Sequence, residues 1–529
     1  MSFRISFLFF VYSFGISICT SQIPKNLSLL STLTFPGQSL AGCWHYEDGN
    51  GHAYALVGAS RGIVIVDVTN PALPVNLFQL PGVSNLWHEV KVIGDFAYAV
   101  SEGIDTSNVK NGLQIIDLRY LPDSVPYKFY TGDGDILGQL RKAHTVTTAG
   151  NYVYINGHNI TGLGTGVLIC DVSDPWNPLY TGAITMNYCH DSYVRGDTIY
   201  TSDIHAGQFS VYNISDKSAP VLLATQQTPG LFNHNTWLSD DGQTIYTTDE
   251  HPNQPLASYN ISDLSNIEKL DEYFTINLPA NEVHNVRVFN DFLINPSYGS
   301  QVTIVDGLRP ANLIEVGNFP TGTSLCWDAD PYFSSGIMVA TDMNSGTLYI
   351  LQPEYKRACY LEGMVTDSST GIIINGATVA IIGTSVNQIS NASGEYKTGI
   401  ADSGTYTITC SKSGYNSKTI SGVNLDHGIL TTINFQLSLI NSSIQEGSDV
   451  PNFQLSPNPC IDQLMITSSS SKVLRIRIMN MSGQILYESI PVSLGSKDVL
   501  VPVGDLSKGL YILELNSDQG TSFSKFQKL

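Results

Sequence analysis

The sequence predicts an all-β protein: a seven-bladed β-propeller closed by an N-terminal strand, followed by two small β-sandwich domains. One apolar motif, first seen from Gly62 to Val68, occurs in seven copies that lie 42 to 54 residues apart. This spacing is the length of one four-stranded propeller blade, and helical periodicity is nearly absent from the chain. The copies end at Asp67, Asp117, Asp171, Asn213, Asn260, Asp306 and Leu351.

The composition is that of a globular protein with room for more than one domain. The chain has 529 residues, of which 42% are hydrophobic, and its formal net charge is -20. Nucleic acids and anionic membrane surfaces are disfavoured as partners, because a phosphate-binding face needs clustered lysine and arginine.

Residues 1–21 have the pattern of a secretory signal peptide. Arg4 gives the positive start, residues 5–18 form the apolar run, and residues 19–21 form a cleavage site of small residues. We therefore expect an exported chain, and no later apolar stretch approaches the roughly 20 residues that span a bilayer. The seven remaining cysteines form no disulfide framework, although Cys359 and Cys410 lie in one small module and could pair.

The propeller is predicted over residues 25–353. Each repeat consists of a strand, a tight turn, a second strand, the apolar motif, a turn with proline, and an outer strand. Residues 27–35 are similar to these outer strands, and the seventh copy lacks one after Pro353. We infer that the N-terminal strand completes the last blade, so that no sheet edge is left unpaired.

A different β pattern follows at residues 357–438. It is marked by Gly363-Met364-Val365-Thr366-Asp367, Thr370-Gly371 and Asn375-Gly376-Ala377. These motifs resemble the carboxypeptidase regulatory-like family, whose fold is a small transthyretin-like β-sandwich. The resemblance implies a non-catalytic spacer or adhesion module. Residues 439–452 are polar and rich in turn-forming residues, and they are interpreted as a linker.

The last segment, residues 453–529, carries several separate motifs. Leu455-Ser456-Pro457-Asn458-Pro459, Gly509-Leu510-Tyr511-Ile512 and the closing Lys525-Phe526-Gln527-Lys528-Leu529 are the clearest. They resemble the type A C-terminal sorting domain of the type IX secretion system. The resemblance implies recognition by that machinery, export across both membranes of a Bacteroidota cell, and either release or retention at the outer-membrane surface.

The propeller itself resembles the LVIVD-repeat, choice-of-anchor B family through Ile63-Val64-Ile65-Val66-Asp67 and its six echoes. The resemblance implies the propeller and an anchoring module, but no established reaction.

A second periodic feature accompanies the repeats, because one histidine or acid stands near the start of the first strand of each blade. Another histidine or acid follows 13 to 15 residues later in five blades, at the end of the second strand. Two antiparallel strands separate the two positions, so both sets are expected on one rim of the propeller. The first set is His45, His88, His144, His190, His234, His284 and Asp328; the second is Glu102, His158, Asp203, Asp249 and Asp342, with His205, Glu250 and His251 as neighbours.

Three interpretations of this rim stay open. Imidazoles beside carboxylates suit a divalent transition metal, with Glu102 or Glu250 as the candidate base if a reaction occurs. The histidines could instead lock each blade through a bond to an aspartate of the same blade, or the rim could bind a polar ligand without a metal. We therefore predict an exported binding or adhesion protein with an unidentified extracellular ligand at this mouth, or else a metal-dependent, hydrolase-like extracellular enzyme.

Overall fold

The computed structural model describes residues 23–104, 111–275, 282–299, 301–322, 325–440, 453–468, 473–490, 498–517 and 520–529. The chain divides into two compact units, with the division between Leu439 and Ile440. The predicted signal peptide and residues 441–452 of the predicted linker lie outside the described residues. Among the described residues there are two short 3-10 turns, Gly134–Ile136 and Ile204–Ala206, and no α-helix. No helix in that part of the chain is long and apolar enough to cross a membrane.

Seven four-stranded antiparallel sheets occupy the first unit up to Pro353, which confirms the predicted all-β class. Six of these sheets are formed by four consecutive strands, β2–β5, β6–β9, β10–β13, β14–β17, β18–β21 and β22–β25. The strands are β1 (Leu27–Thr34), β2 (Leu40–Glu47), β3 (Ala53–Ala59), β4 (Gly62–Asp67), β5 (Val75–Pro81), β6 (His88–Ile93), β7 (Phe96–Ser101), β8 (Leu113–Asp117), β9 (Tyr127–Tyr130), β10 (Thr145–Ala149), β11 (Tyr152–Asn156), β12 (Val167–Asp171), β13 (Leu179–Ile184), β14 (Asp191–Arg195), β15 (Thr198–Asp203), β16 (Gln208–Asn213), β17 (Val221–Gln227), β18 (Asn233–Leu238), β19 (Thr244–Asp249), β20 (Leu256–Asn260), β21 (Glu268–Tyr273), β22 (Arg287–Phe289), β23 (Phe292–Ser297), β24 (Gln301–Asp306), β25 (Ile314–Pro320), β26 (Cys326–Asp330), β27 (Met338–Asp342) and β28 (Thr347–Pro353).

The seventh sheet contains β26, β27, β28 and the N-terminal strand β1. Leu27 pairs with Pro353 and Thr34 pairs with Thr347, so the predicted closure by the N-terminal strand is confirmed. Neighbouring sheets contact each other, and β26 of the last sheet contacts β2 of the first. The sheets therefore form a ring in which each first strand lies innermost.

Burial explains the apolar motif that made the repeat visible. The third strand of each sheet lies between two other strands, and five of the six residues of β4 are fully buried. The glycine that begins this motif is needed for close packing: at Gly62, where φ is +126°, a Cβ atom would lie 2.1 Å from the carbonyl oxygen of Leu80. Outer strands such as β17 are mostly exposed.

The rest of the first unit is a two-sheet sandwich that packs on the propeller. Arg309 forms an ion pair with Glu362, and Arg357 forms one with Asp306, across this contact. The sequence left open a disulfide in this module, but both of its cysteines are free and buried. Its strands are β29 (Cys359–Asp367), β30 (Thr378–Ile381), β31 (Asn387–Ile389), β32 (Glu395–Ile400), β33 (Gly404–Ser411), β34 (Lys418–Leu425), β35 (Leu430–Thr432) and β36 (Phe435–Leu437).

The second unit also contains two antiparallel sheets. One is formed by three strands and the other by four, and they share a core that includes Ile476, Leu513 and Phe526. The strands are β37 (Phe453–Ser456), β38 (Gln463–Ser468), β39 (Val473–Asn480), β40 (Ile485–Ser489), β41 (Asp498–Pro502), β42 (Gly509–Ser517) and β43 (Gly520–Lys528).

Candidate functional site

Four of the predicted histidines form a continuous arc at the mouth of the propeller. They come from four consecutive sheets, and each stands within or just before the innermost strand. The ring centroids of His144 and His190 are 4.0 Å apart, those of His190 and His234 are 4.1 Å apart, and those of His234 and His284 are 4.2 Å apart. The ring of sheets thus brings together side chains that are far apart in the sequence.

Backbone carbonyls of the next sheet hold these rings in place. Nδ1 of His190 lies 3.1 Å from the carbonyl oxygen of His234, and Nδ1 of His284 lies 2.5 Å from that of Trp327. A carbonyl can only accept a hydrogen bond, so Nδ1 carries the proton in both rings and Nε2 keeps its lone pair.

Burial keeps the inner part of the arc uncharged. It lowers the pKa of His190 and of His234 well below the usual 6.5, and the neighbouring imidazoles lower both further. Burial also lowers the pKa of His284 to about 3. The three rings are therefore neutral at ordinary pH, which is the state that a metal ligand requires.

Two carboxylates reach the same arc. The carboxylate of Glu250 lies 3.8 Å from Nε2 of His234 and 3.8 Å from Nε2 of His284. Burial raises the pKa of Glu250 to about 7, and nearby Glu282 raises it as well. Glu102 lies 2.8 Å from Nδ1 of His144, and this hydrogen bond holds the pKa of Glu102 below its usual value.

One group of three side chains has its ligand atoms close enough together to be a candidate metal site. Ligand atoms of His190, His234 and Glu250 all lie within 4.8 Å of one another. Bonds of about 2.0 to 2.2 Å place two ligands of one ion no more than about 4.4 Å apart, so these side chains would move closer together to bind an ion.

The arc lines an open cavity of about 260 Å³. Exposed His205 and half-buried Tyr188 stand at its edge, so the cavity is accessible from solvent. Its wall is completed by two tryptophans that the sequence reasoning did not identify. The lining residues are Trp87, Glu102, His144, Tyr188, His190, Ile204, His205, His234, Glu250, His284 and Trp327.

Below the histidines, charged side chains fill the ring of innermost strands. Arg287 donates to Asp328 at 2.9 Å, and the indole nitrogen of Trp327 donates to Glu89 at 3.1 Å. Asp191 accepts a hydrogen bond from Asn235. A small cavity at this level has a volume of about 10 Å³, which is close to the minimum for one water molecule.

His45 does not join the arc. Its ring donates to Asp330 at 2.9 Å instead. In the first sheet, Ala41 takes the histidine position: its carbonyl accepts from Thr341, as the carbonyl of His284 accepts from Thr248. Residues 43–45 (Cys-Trp-His) resemble residues 326–328 (Cys-Trp-Asp), and this similarity predicted that His45 would take the histidine position of the first sheet. A bulge between residues 40 and 43 shifts the register of that sheet, so the prediction for His45 is wrong.

His88 and Asp328 are also placed elsewhere. His88 is buried beside Gly82 and Gln114 in a separate small cavity, where burial lowers its pKa to about 4. Trp87, the residue before it, faces the mouth instead. Asp328 pairs with Arg287 in the layer below, because Trp327 takes the histidine position of the last sheet.

Most of the second predicted set secures loops rather than the mouth. The structure brings only Glu102 and Glu250 of these acids to the cavity. Asp249 accepts from the hydroxyl of Thr228 and the amide of Gly230, and His158 accepts from the amide of Ile160. Asp203 and Asp342 accept in the same way from nearby side chains and amides.

Family comparisons match three parts of the chain. The LVIVD repeat matches residues 51–79 and 140–185, which lie in the first and third sheets of the ring. The carboxypeptidase regulatory-like domain matches residues 360–438, and the secretion system C-terminal sorting domain matches residues 454–528. No curated protein matches the chain.

Proposed function

We propose that this exported LVIVD-repeat protein, with its carboxypeptidase regulatory-like domain and its C-terminal sorting domain, binds a divalent transition-metal ion at the propeller mouth. The ion then forms part of an extracellular binding site. The sorting domain indicates secretion or attachment at the outer-membrane surface, so the proposed site acts outside the cell. The convergence of His190, His234 and Glu250 within 4.8 Å is the observation that carries the proposal.

The orientation of the histidines favours a metal over a purely structural role. A structural lock would bond each ring to an aspartate of its own blade. In contrast, His190 and His284 donate Nδ1 protons to backbone carbonyls, which is the arrangement that orients metal-binding histidines.

Nε2 of His284 supports the same conclusion. It is buried and makes no hydrogen bond with the residues that the structure describes. An unpaired buried polar atom costs about 1–3 kcal/mol, and a metal ion beside Glu250 would relieve that cost. His284 therefore stands beside the proposed metal site, 3.8 Å from Glu250 and outside the group of three ligands.

Two imidazoles and one carboxylate form a donor set that suits Zn²⁺, and three protein ligands leave a coordination position open. Binding is favoured over hydrolysis by the placement of the two acids. Glu250 is positioned as a ligand, and Glu102 is held by His144, so neither is free to act as a base. The hydrolase-like enzyme remains the second expectation.

Zinc titration of the mature full-length protein by calorimetry tests this proposal. After treatment with a chelator, the wild type should bind one ion per chain with micromolar affinity or better, and His190→Ala or Glu250→Gln should weaken binding by about 100-fold or more. The matched control is His251→Ala, since His251 is exposed, packs beside the ring of Phe232 and lies outside the ligand group. A wild type that binds no ion, or ligand variants that bind like the control, would overturn the proposal.

A further inference from the structure

The side of the cavity that faces the histidine arc is aromatic and apolar. Trp87 and Trp327 line the cavity, and Trp327 belongs to an apolar cluster with Ala41 and Met343. Leu86, Leu325 and Tyr298 pack against the same cluster. The mouth therefore has two unlike halves, one of nitrogen and oxygen donors and one of apolar surface.

The aromatic half is held in a fixed orientation. Trp327 is 4% exposed, its indole nitrogen donates to Glu89 at 3.1 Å, and its ring lies 4.8 Å from that of His284. The amide of Trp87 donates to the side chain of Asn85, which fixes the turn before β6. Rigid walls lose little conformational freedom when a ligand binds, so they favour recognition of a matching shape.

The charge of the mouth restricts how an anion could bind. Glu102 and Glu250 line the cavity, and Glu282 lies close enough to Glu250 to raise its pKa. Without a cation these carboxylates repel an anion. With an ion on His190, His234 and Glu250, the open coordination position attracts an oxygen donor, whereas an organic amine would compete with the ion for the same acids.

The size of the cavity suits a small molecule. Its volume is about 260 Å³. A cavity of roughly 150 Å³ holds one benzene ring, so this cavity has space for one ring and a few water molecules besides. One ring with a short donor group fits this space, and a longer chain would extend into solvent.

We propose that the metal-loaded mouth binds a small aromatic carboxylate. This inference rests on the proposed metal site and adds the chemical class of its ligand. One carboxylate oxygen occupies the open position of the ion, and the ring lies against Trp87 and Trp327. Ring contacts on tryptophan then separate aromatic acids from small aliphatic acids that offer the same oxygen donor.

Calorimetric titration of the full mature chain with benzoate and with acetate tests the inference, both with and without bound Zn²⁺. The zinc-loaded protein should bind benzoate at least about tenfold more tightly than acetate, and the metal-free protein should bind neither. Trp87→Ala should weaken benzoate binding about five- to tenfold and leave zinc affinity unchanged. The matched control is Trp176→Ala, since Trp176 packs against Phe96 and does not line the cavity.

The outcomes separate the two proposals. A wild type that binds no zinc would overturn the metal site. Zinc binding with equal affinities for benzoate and acetate, or a Trp87→Ala variant that binds benzoate like the wild type, would overturn the aromatic ligand alone. Tighter binding of benzylammonium to the metal-free protein than of benzoate to the loaded protein would also overturn it, in favour of an organic cation.

Discussion

His190 is oriented by the backbone of His234: the Nδ1 proton of one points at the carbonyl oxygen of the other, 3.1 Å away. The bond uses no side-chain atom of His234, so the two histidines can be separated by mutation. A substitution at position 234 removes a proposed ligand and leaves the orientation of His190 intact.

We therefore predict that His234→Ala weakens zinc binding about 100-fold and costs the metal-free protein only the packing of the lost ring. The wild-type ring is buried, and it lies outside the hydrogen bond that orients His190. Calorimetry gives the affinity, and thermal melting in chelator gives the stability. A melting temperature many degrees lower for the metal-free variant would show that the ring is needed for folding instead.

The buried ring of His88 makes a prediction about pH. Burial lowers its pKa in the folded protein to about 4. The unfolded chain binds the proton below about pH 6.5, whereas the folded chain does not until about pH 4. This group therefore favours unfolding increasingly as the pH falls from 6.5 towards 4.

His88→Leu removes that penalty. The unfolding free energy of the variant minus that of the wild type should be about 2 kcal/mol larger at pH 5 than at pH 7.5. The reason is that pH 5 lies about 1.5 units below the unfolded-state pKa of about 6.5, and 1.5 units correspond to about 2 kcal/mol. Urea denaturation of the propeller transition at the two pH values measures it. The same difference between the two proteins at both values would contradict the pKa assignment.

The ion pair below the mouth predicts a large loss of stability. Arg287 and Asp328 are both fully enclosed, and the guanidinium lies 5.2 Å from the ring centre of Trp44 and 4.9 Å from that of Trp237. Arg287→Met leaves a buried carboxylate with no ion-pair partner, which should cost about 3–5 kcal/mol in the urea denaturation of the propeller. The double variant with Asp328→Asn should recover part of the loss, and a double variant that is no more stable than Arg287→Met would contradict this explanation.

Removal of β1 tests ring closure. Without Leu27–Thr34, the strand Thr347–Pro353 presents an unpaired edge, so the shortened protein should self-associate and melt at a lower temperature. Size-exclusion chromatography and thermal melting measure both effects. The control is a chain that begins at Asn26, which keeps the whole strand, and equal behaviour of the two chains would show that the strand is dispensable.

Repeat spacing predicted the sheets and their closure because each blade repeats the same buried strand. The direction of individual side chains was harder to predict, since a shift of one residue in a strand turns a side chain to the opposite face. Trp87 and His88 are adjacent, and only the first faces the mouth. The one signal for the aromatic wall was the tryptophan at position 327, which stands where four other repeats place a histidine.

The site of His190 and Glu250 required information that the sequence does not contain. Both were named as candidates, but so were residues such as Asp249, the neighbour of Glu250, which binds the loop at Gly230. The distance of Glu250 from two rings depends on how far β19 extends before the chain turns. Local bulges between residues 233 and 235 and between residues 326 and 328 change the register in ways that no spacing rule foresees.

The charged layer under the histidines makes the mouth a blind end rather than a passage. A ligand at the mouth would leave through the opening to solvent, because charged side chains pack beneath it around a cavity with room for about one water molecule. A second macromolecule bound over this opening would therefore hold the ligand in place. The ligand could then dissociate only as fast as that macromolecule does.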